Sequence, residues 1–206
     1  MSELSKDASL VDEAVEAIRA GRPVVLPTDT VYGLCVSPDS AEPIEQLHRL
    51  KGRDAEQPIA LVGFDVHALV ERVPELTGRI ASLARALLPG PLTLVFPNPE
   101  NRFPWLTGKS PGTIGIRVPE LTGDAKAVLE RVGAVAATSA NLTGSPDPKR
   151  LEEVPAEIRA AAVVIDGGEL PGVPSTVVDL TGPEPRILRE GAVPAGQVLE
   201  RLAQLV

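Results

Sequence analysis

Short apolar runs alternate along this chain with segments whose apolar residues recur at the spacing of one helix face. Val24 to Leu26 form an unbroken apolar run, which is typical of a strand buried on both faces. The preceding segment has helical spacing and is predicted to be a helix capped by Ser9 and ended by Gly21. This alternation favours an α/β or α+β structure in which helices lie on a mixed sheet.

The same pattern continues through the rest of the sequence. Pro27 to Leu34 predicts a strand, a turn and another short strand. Further strands are predicted at 59–62, 92–96, 113–118, 134–138, 163–166, 176–180 and 186–189. Further helices are predicted at 41–51, 65–72, 76–87, 124–132 and 195–205. The segments 98–112 and 141–148 are rich in Pro, Gly, Asn and Ser, so they are predicted to be loops.

Composition limits the class of protein. The chain has 206 residues, of which 43% are hydrophobic, so we expect one domain over residues 1–206 with a sizeable core. Only 2% are aromatic, so packing must rely on Val, Leu, Ile and Ala. The lone Cys35 excludes an intramolecular disulfide, and no run approaches the ~18 apolar residues of a membrane span. The first residues do not resemble a secretory leader, so we expect a cytoplasmic protein.

The charge balance bears on possible partners. The net charge is -8, from 28 acidic and 20 basic residues, and it opposes tight nonspecific binding to a phosphate backbone. The scarcity of aromatic side chains also disfavours base stacking. A local basic cleft is still compatible with this composition, but it must be inferred from particular residues.

Five short motifs combine cations, hydroxyls and glycines in a fixed order. They are PTDTVYGL at Pro27–Leu34, KGR at Lys51–Arg53, PGPLT at Pro89–Thr93, TSAN at Thr138–Asn141 and PSTVVDL at Pro174–Leu180. None matches a Walker loop or a dinucleotide-binding fingerprint, so an ATP site here would have another design. The set resembles the YrdC-type threonylcarbamoyl-AMP synthases, and the resemblance extends from about residue 22 to residue 191.

The resemblance implies a YrdC-like fold, which is an open twisted mixed sheet with flanking helices and a concave cleft. It implies a nucleotidyltransferase that forms threonylcarbamoyl-AMP and pyrophosphate from L-threonine, bicarbonate and ATP, with Mg2+. In that family the product serves tRNA threonylcarbamoyladenosine modification through a separate transferase machinery, so direct tRNA binding is expected to be weak or absent. Longer members carry an extra C-terminal domain, which this chain is expected to lack.

The resemblance also assigns residues to the nucleotide. The implied catalytic group is Lys51, Arg53, Ser139 and Asn141. The implied ATP contacts are Lys51, Arg53, Thr113, Ser139, Ala140, Asn141 and Arg189. Cations suit this task because ATP is highly anionic and an Arg fork can bind two phosphate oxygens at once. Structural roles are equally open, since basic residues at a helix end favour the macrodipole and Ser or Asn after a strand often caps a helix or forms a turn.

A second group of residues is implied for the amino acid. The expected threonine-binding residues are Thr28, Thr30, Arg117, Thr138 and Ser175. Arg117 alternates with apolar neighbours, so it lies on the opposite strand face, where a half-buried guanidinium must find an acceptor. A threonine carboxylate would suit its planar fork. Either Thr28 or Thr30 can be the substrate contact.

The remaining reactive side chains are expected to be structural. His48 and His67 lack metal-ligand spacing and Cys35 has no base partner, so no protein metal site is expected. The segment Asp54–Gln57 replaces a proline that usually follows Arg53 in the family. This difference keeps open the hypothesis that the protein is a relative that acts on another carbamoyl adenylate. An RNA-binding module that uses the same cleft is a second alternative.

Overall fold

The computed structural model describes residues 3–205, with side chains from residue 9 onward. Its helices are α1 (Glu3–Arg19), α2 (Ala41–Lys51), α3 (Val66–Arg72), α4 (Gly78–Leu87), α5 (Gly123–Val132), α6 (Ala156–Ala161) and α7 (Ala195–Ala203). Its strands are β1 (Val24–Pro27), β2 (Tyr32–Val36), β3 (Ala60–Gly63), β4 (Leu92–Pro97), β5 (Thr113–Arg117), β6 (Ala134–Ser139), β7 (Val163–Val164), β8 (Thr176–Asp179) and β9 (Arg186–Arg189).

These strands form one mixed sheet in the order β7-β1-β2-β6-β3-β5-β4-β8-β9. The pairs β1–β7, β3–β5 and β4–β8 are parallel, and the others are antiparallel. The prediction of an α/β fold with an open mixed sheet is therefore confirmed. Strand β6 lies near the middle of the sheet, and its register places Ser139 beside Gly33 of β2.

The two faces of the sheet are covered to different extents. Helices α1 and α5 pack on one face, where Val15, Ile18 and Val128 join a buried apolar cluster. Apolar residues of α2, α3, α4, α6 and α7 belong to a larger core on the opposite face, together with Leu34 and Leu94 of the strands. Because only two helices cover the first face, strands at the middle and the β9 side of the sheet keep part of that face open.

Strand β2 shows how the sheet serves the core and the open face together. Tyr32 and Leu34 are fully buried in the larger core, whereas Cys35 belongs to the cluster under α1 and α5. The hydroxyl of Tyr32 lies 2.8 Å from Asp166 Oδ1 and accepts the N–H of Gly167 at 3.0 Å. Tyr32 is therefore a core residue that anchors the loop after β7, and it does not line the open face.

Most predicted elements agree with the structure within one or two residues, but the first helix does not. Helix α1 begins at Glu3, so Ser9 lies inside the helix and its prediction as the N-cap is wrong. The reason is that the upstream sequence contains Leu, Lys and Ala, which favour helix continuation over a cap at Ser9. The end of the helix is as predicted, since Gly21 adopts a φ of 75° and donates to the carbonyl of Ile18.

Helix α6 was not expected from the sequence, since its six residues are too few to show clear helical spacing. The prediction that the chain lacks a secretory leader concerns its first residues. Two of these, Met1 and Ser2, lie outside the described residues. Among residues 3–205, none of the helices combines the length and the apolar character that a membrane crossing requires.

Candidate active site

A cavity of about 350 Å³ lies on the partly uncovered face of the sheet. Leu129 of α5 and Leu26 of β1 line it and also belong to the cluster under α1, which fixes the face on which the cavity opens. Eight of the predicted site residues line it, namely Thr28, Arg53, Thr113, Arg117, Thr138, Ser139, Ser175 and Arg189. The motifs, which are far apart in sequence, thus converge in one cleft.

Residues with small side chains or none line the sheet side of the cavity and leave space above the strands. Gly33, Ala60, Gly115 and Ala137 come from four strands and all line it. A Cβ atom on Gly115 would stand 3.8 Å from the Thr93 side chain, which is ordinary contact, so the glycine is not required by crowding of the backbone. Its effect is to leave room above the strand for a ligand.

Two of the cavity arginines have no carboxylate partner among the residues whose side chains are described. Arg53 donates through Nη1 to Thr138 Oγ1 and through Nη2 to the Pro58 carbonyl, both at 2.7 Å. Its Nε is buried and has no partner in the described chain. Burial lowers the pKa of Arg53, and the nearby charge of Arg189 lowers it further. Guanidinium groups held together without counter-charge form a site for an anion.

Arg189 approaches the cavity from β9, at the edge of the sheet. Its Nη2 donates to the Ser175 carbonyl at 2.7 Å and to Ser175 Oγ at 3.2 Å. This packing depends on Gly191, where a Cβ would lie only 2.1 Å from the Pro174 carbonyl oxygen. Ser175 in turn shares a hydrogen bond of 2.8 Å with Thr93. The Ser175 motif and the Arg189 motif therefore form one wall of the cleft.

Arg117 is held differently from the other two arginines. It forms an ion pair with Asp29 in which each side chain is only 12% exposed, and it donates to Thr30 Oγ1 at 2.8 Å. Burial lowers the pKa of Arg117, whereas the charge of Asp29 raises it. Asp29 also accepts the backbone N–H of Glu120 at 3.2 Å. The guanidinium is thus fixed in place and neutralised on one side.

The two threonines near Arg117 occupy different positions. Thr28 lines the cavity, while its Oγ1 donates to the Val31 carbonyl at 2.7 Å. Thr30 is fully buried, does not line the cavity, and already interacts with Arg117 and Thr28. Thr28 is therefore placed to meet a ligand directly, and Thr30 supports the arginine.

Lys51, Ala140 and Asn141 also lie outside the cavity lining. Ala140 is fully buried, and Asn141 and Lys51 are 8% and 4% exposed. The Lys51 ammonium donates to Ser139 O and, at 2.8 Å each, to Asn141 O and Asn141 Oδ1. Of the TSAN motif, Thr138 and Ser139 line the cavity. The assignment of Ser139 to ATP and of Thr138 to threonine stays a prediction, as does the assignment to ATP of Thr113, whose hydroxyl donates to the Ser110 carbonyl at 3.1 Å.

The residues expected to be structural are buried or paired. Cys35 is buried at the cavity floor, and burial raises the pKa of its thiol to about 12, so it is not a reactive thiolate. His48 is buried with no partner for Nδ1, and burial together with the charge of Arg53 lowers its pKa. His67 is exposed, and its Nε2 lies 3.5 Å from Oε1 of Glu71.

Sequence reasoning missed three polar groups that belong to this site. Asp29 stands inside the first motif, between the two threonines, but its partner Arg117 is 88 residues away. Thr93 ends the PGPLT motif and lines the cavity, where it bonds to Ser175. Asp147, in the loop after the TSAN motif, is the one carboxylate among the lining residues. The motifs therefore predicted which segments meet at the site, but they did not identify these three side chains.

The described residues do not form a metal site made of protein ligands alone. Among the side chains that the structure describes, from residue 9 to residue 205, no group of three or more His, Cys, Asp or Glu is arranged to hold a metal ion. The single lining carboxylate, Asp147, suits an ion that arrives with substrate phosphates, because Mg2+ is commonly held by one or two carboxylates plus such phosphates.

The fold and the site together are those of an α/β protein with an open mixed sheet and an arginine-lined cleft on one face. The Sua5/YciO/YrdC family model, described as "Telomere recombination", matches residues 16–191. The chain belongs to this family. The resemblance drawn from the five motifs is thereby confirmed.

Relatives agree with this assignment. A Mycobacterium tuberculosis protein provisionally named threonylcarbamoyl-AMP synthase is 36% identical over 191 residues, covering 92% of this chain and 87% of that protein. The Pyrococcus abyssi threonylcarbamoyl-AMP synthase is 34% identical over 193 residues, covering 91% of this chain and 56% of that protein. The crystal structure of P. abyssi Sua5 complexed with L-threonine matches with a TM-score of 0.83 at 33% identity, covering 93% of this chain and 57% of that chain.

Proposed function

We propose that this protein is a threonylcarbamoyl-AMP synthase that uses L-threonine, bicarbonate and ATP. The observation that carries the proposal is the convergence of Arg53, Arg117 and Arg189 in one cavity, two of them without a carboxylate partner in the part of the chain that the structure describes. This pattern suits a polyanion beside a smaller zwitterion, because the unpaired arginines match phosphates and the paired one matches a single carboxylate. The family assignment and the L-threonine complex of the P. abyssi protein support the same reaction.

The proposed reaction needs no side-chain nucleophile. The threonine amine captures carbon from bicarbonate to form a carbamate, with loss of water. A carbamate oxygen then attacks the α-phosphorus of ATP, the bond to the β-phosphate oxygen breaks, and pyrophosphate leaves. The protein contributes position and charge stabilisation, which is the usual division of labour in transfer at phosphorus. The buried, protonated Cys35 takes no part.

Each wall of the cleft has a part in this scheme. Arg117, oriented by Asp29, would bind the threonine carboxylate, the hydroxyl of Ser175 would bind a polar group of threonine, and Thr28 would line the pocket beside it. Arg53 and Arg189 would hold the phosphates and stabilise the charge that develops on pyrophosphate. Ser139, at the end of β6, would contact the nucleotide through its hydroxyl oxygen, because its O–H already donates to Asn141.

Mg2+ belongs to the proposal as an ion that accompanies ATP. Asp147 is the lining residue that would hold it, together with phosphate oxygens. When bound, the ion neutralises phosphate charge and favours departure of pyrophosphate. The arginines keep their assigned roles with or without it.

The product would pass to a separate transferase for tRNA threonylcarbamoyladenosine modification, and the protein would do its chemistry without tRNA. The acidic net charge of -8 and the scarcity of aromatics support this part of the proposal. Weak contact with tRNA through the cleft is compatible with it.

The test is synthesis from purified components with nucleic acid removed by nuclease. ATP, threonine, bicarbonate and Mg2+ are supplied, pyrophosphate release is measured, and the AMP-linked product is identified by mass spectrometry. We expect product only when threonine and bicarbonate are both present. Turnover that begins only after tRNA is added would replace this proposal with the RNA-binding alternative, and a different preferred amino acid would point to another carbamoyl adenylate.

A further inference from the structure

Lys51 occupies an unusual place for a cation assigned to ATP. It is the last residue of α2, and Gly52, with a φ of 57°, ends the helix directly after it. Its side chain is nearly fully buried and lies outside the cavity lining, whereas Arg53, two residues later, lines the cavity. The two cations of the KGR motif therefore point to different surroundings.

Every donor of the Lys51 ammonium has an acceptor inside the protein. An ammonium group has three N–H donors. In Lys51 they face Ser139 O, Asn141 O and Asn141 Oδ1, the last two at 2.8 Å. No donor is left for a phosphate oxygen unless one of these hydrogen bonds is given up.

The acceptors belong to one loop, residues 139–145, which we call the serine–asparagine loop. Ser139 Oγ donates to Asn141 Oδ1 at 2.7 Å, and Asn141 Nδ2 donates to the Ser145 carbonyl at 2.5 Å. The backbone carbonyl of Lys51 accepts the N–H of Thr143 at 3.0 Å. The side chain and the backbone of Lys51 thus contact this loop at Ser139, Asn141 and Thr143.

We infer that Lys51 is a positioning residue, which sets the shape of the serine–asparagine loop and so aims Ser139 into the cavity, and that its ammonium does not contact ATP. The nucleotide part of this inference rests on the proposed function. The loop part rests on the hydrogen bonds alone. Arg53 and Arg189 then carry the phosphate contacts without Lys51.

The protonation of Lys51 supports this role. Burial and, to a smaller extent, the charge of Arg53 together lower the pKa of Lys51 to about 8, while the charge of Asp147 opposes the shift. A neutral amine has two N–H donors for three acceptors. The loop should therefore loosen as the pH rises through about 8, well below the pH at which an exposed lysine loses its proton.

The experiment compares wild type with Lys51→Met in two measurements. The first is amide hydrogen exchange of the 139–145 segment in the free protein, where we expect at least ~tenfold loss of protection in the variant because the side chain's hydrogen bonds are absent. The second is ATP affinity at low and high salt, where the variant should bind more weakly yet lose the same fraction of affinity with salt as wild type. A lost phosphate contact would reduce that salt dependence.

Lys126→Met, an exposed change on α5 with the same loss of charge, is the matched control. Unchanged exchange of 139–145 together with a reduced salt dependence in Lys51→Met would overturn the inference. If Lys51→Met does not fold, the test uses wild type alone. Its amide protection over residues 139–145, corrected for intrinsic exchange, should fall as the pH is raised from 7 to 9.5. Constant protection over this range would overturn the inference. If wild type binds no ATP, the proposed function fails, while the exchange measurement still decides the role of Lys51 in the loop.

Discussion

The cleft holds its arginines in two different ways. Arg117 is paired with Asp29, whereas Arg53 and Arg189 have no carboxylate partner in the described chain. A paired arginine keeps its geometry but offers little net charge, which suits a zwitterion. Unpaired arginines offer net charge, which suits a triphosphate. The difference shows how one cleft can position one substrate and attract another.

Removal of Asp29 should give the largest effect. Asp29→Asn leaves the buried Arg117 charge without its partner, so the free energy of unfolding should fall by roughly 3 kcal/mol. Threonine affinity should fall as well, because the guanidinium loses its fixed orientation, while ATP affinity should not fall. Urea unfolding and calorimetric titration measure these quantities.

The surface pair of Asp39 with Arg72 supplies the control for that prediction. Asp39 is 63% exposed, so Asp39→Asn should lower the free energy of unfolding by less than ~1 kcal/mol. Equal losses in the two variants would mean that burial does not distinguish the Arg117 pair.

For the unpaired arginines, Arg53→Ala or Arg189→Ala should weaken ATP binding at least ~tenfold, about the free energy of one charge-assisted contact. Threonine binding measured without ATP should stay within twofold. Arg49→Ala, on the exposed side of α2, should leave both affinities unchanged. Loss of threonine affinity equal to that of ATP would remove the distinction between the paired and the unpaired arginines.

The Ser175 hydroxyl offers a finer test of the proposed threonine pocket. Its hydrogen bond with Thr93 places it where a substrate hydroxyl can be recognised, so wild type should prefer threonine to valine. Ser175→Ala should narrow that preference about fivefold, the size of one net hydrogen bond. Pyrophosphate release with each amino acid measures the ratio, and an unchanged ratio would assign the hydroxyl recognition to another residue.

Ionic strength should give the smallest difference between the paired and the unpaired arginines. Between about 0.05 and 0.5 M salt, ATP affinity should fall about threefold more than threonine affinity, because unpaired charges are screened and a buried pair is largely not. Titrations at both salt concentrations check this. Parallel losses would indicate that Asp29 does not neutralise Arg117 in solution.

The sequence predicted the sheet and the set of segments that meet at the cleft, because apolar spacing and turn residues are local signals. Arg117 illustrates a success, since strand alternation placed it opposite the apolar face. Lys51 and Asp29 illustrate what local signals cannot reveal. The acceptors of Lys51 are 88 and 90 residues away, and Asp29 meets Arg117 across 88 residues. The order of the strands in the sheet determines which distant residues meet, and neither motif contains information about that order.

Strand β2 contributes to two environments, with Tyr32 in the core and Gly33 at the floor of the cavity. Because neighbouring residues of a strand face opposite sides, an insertion or deletion of one residue would exchange these environments along the strand. A bulky phenol would enter the cleft and a glycine would replace it in the core. Evolution of new substrate preferences in this scaffold is therefore restricted to substitutions at fixed strand positions and to changes in loop length, such as in the segment that follows Arg53.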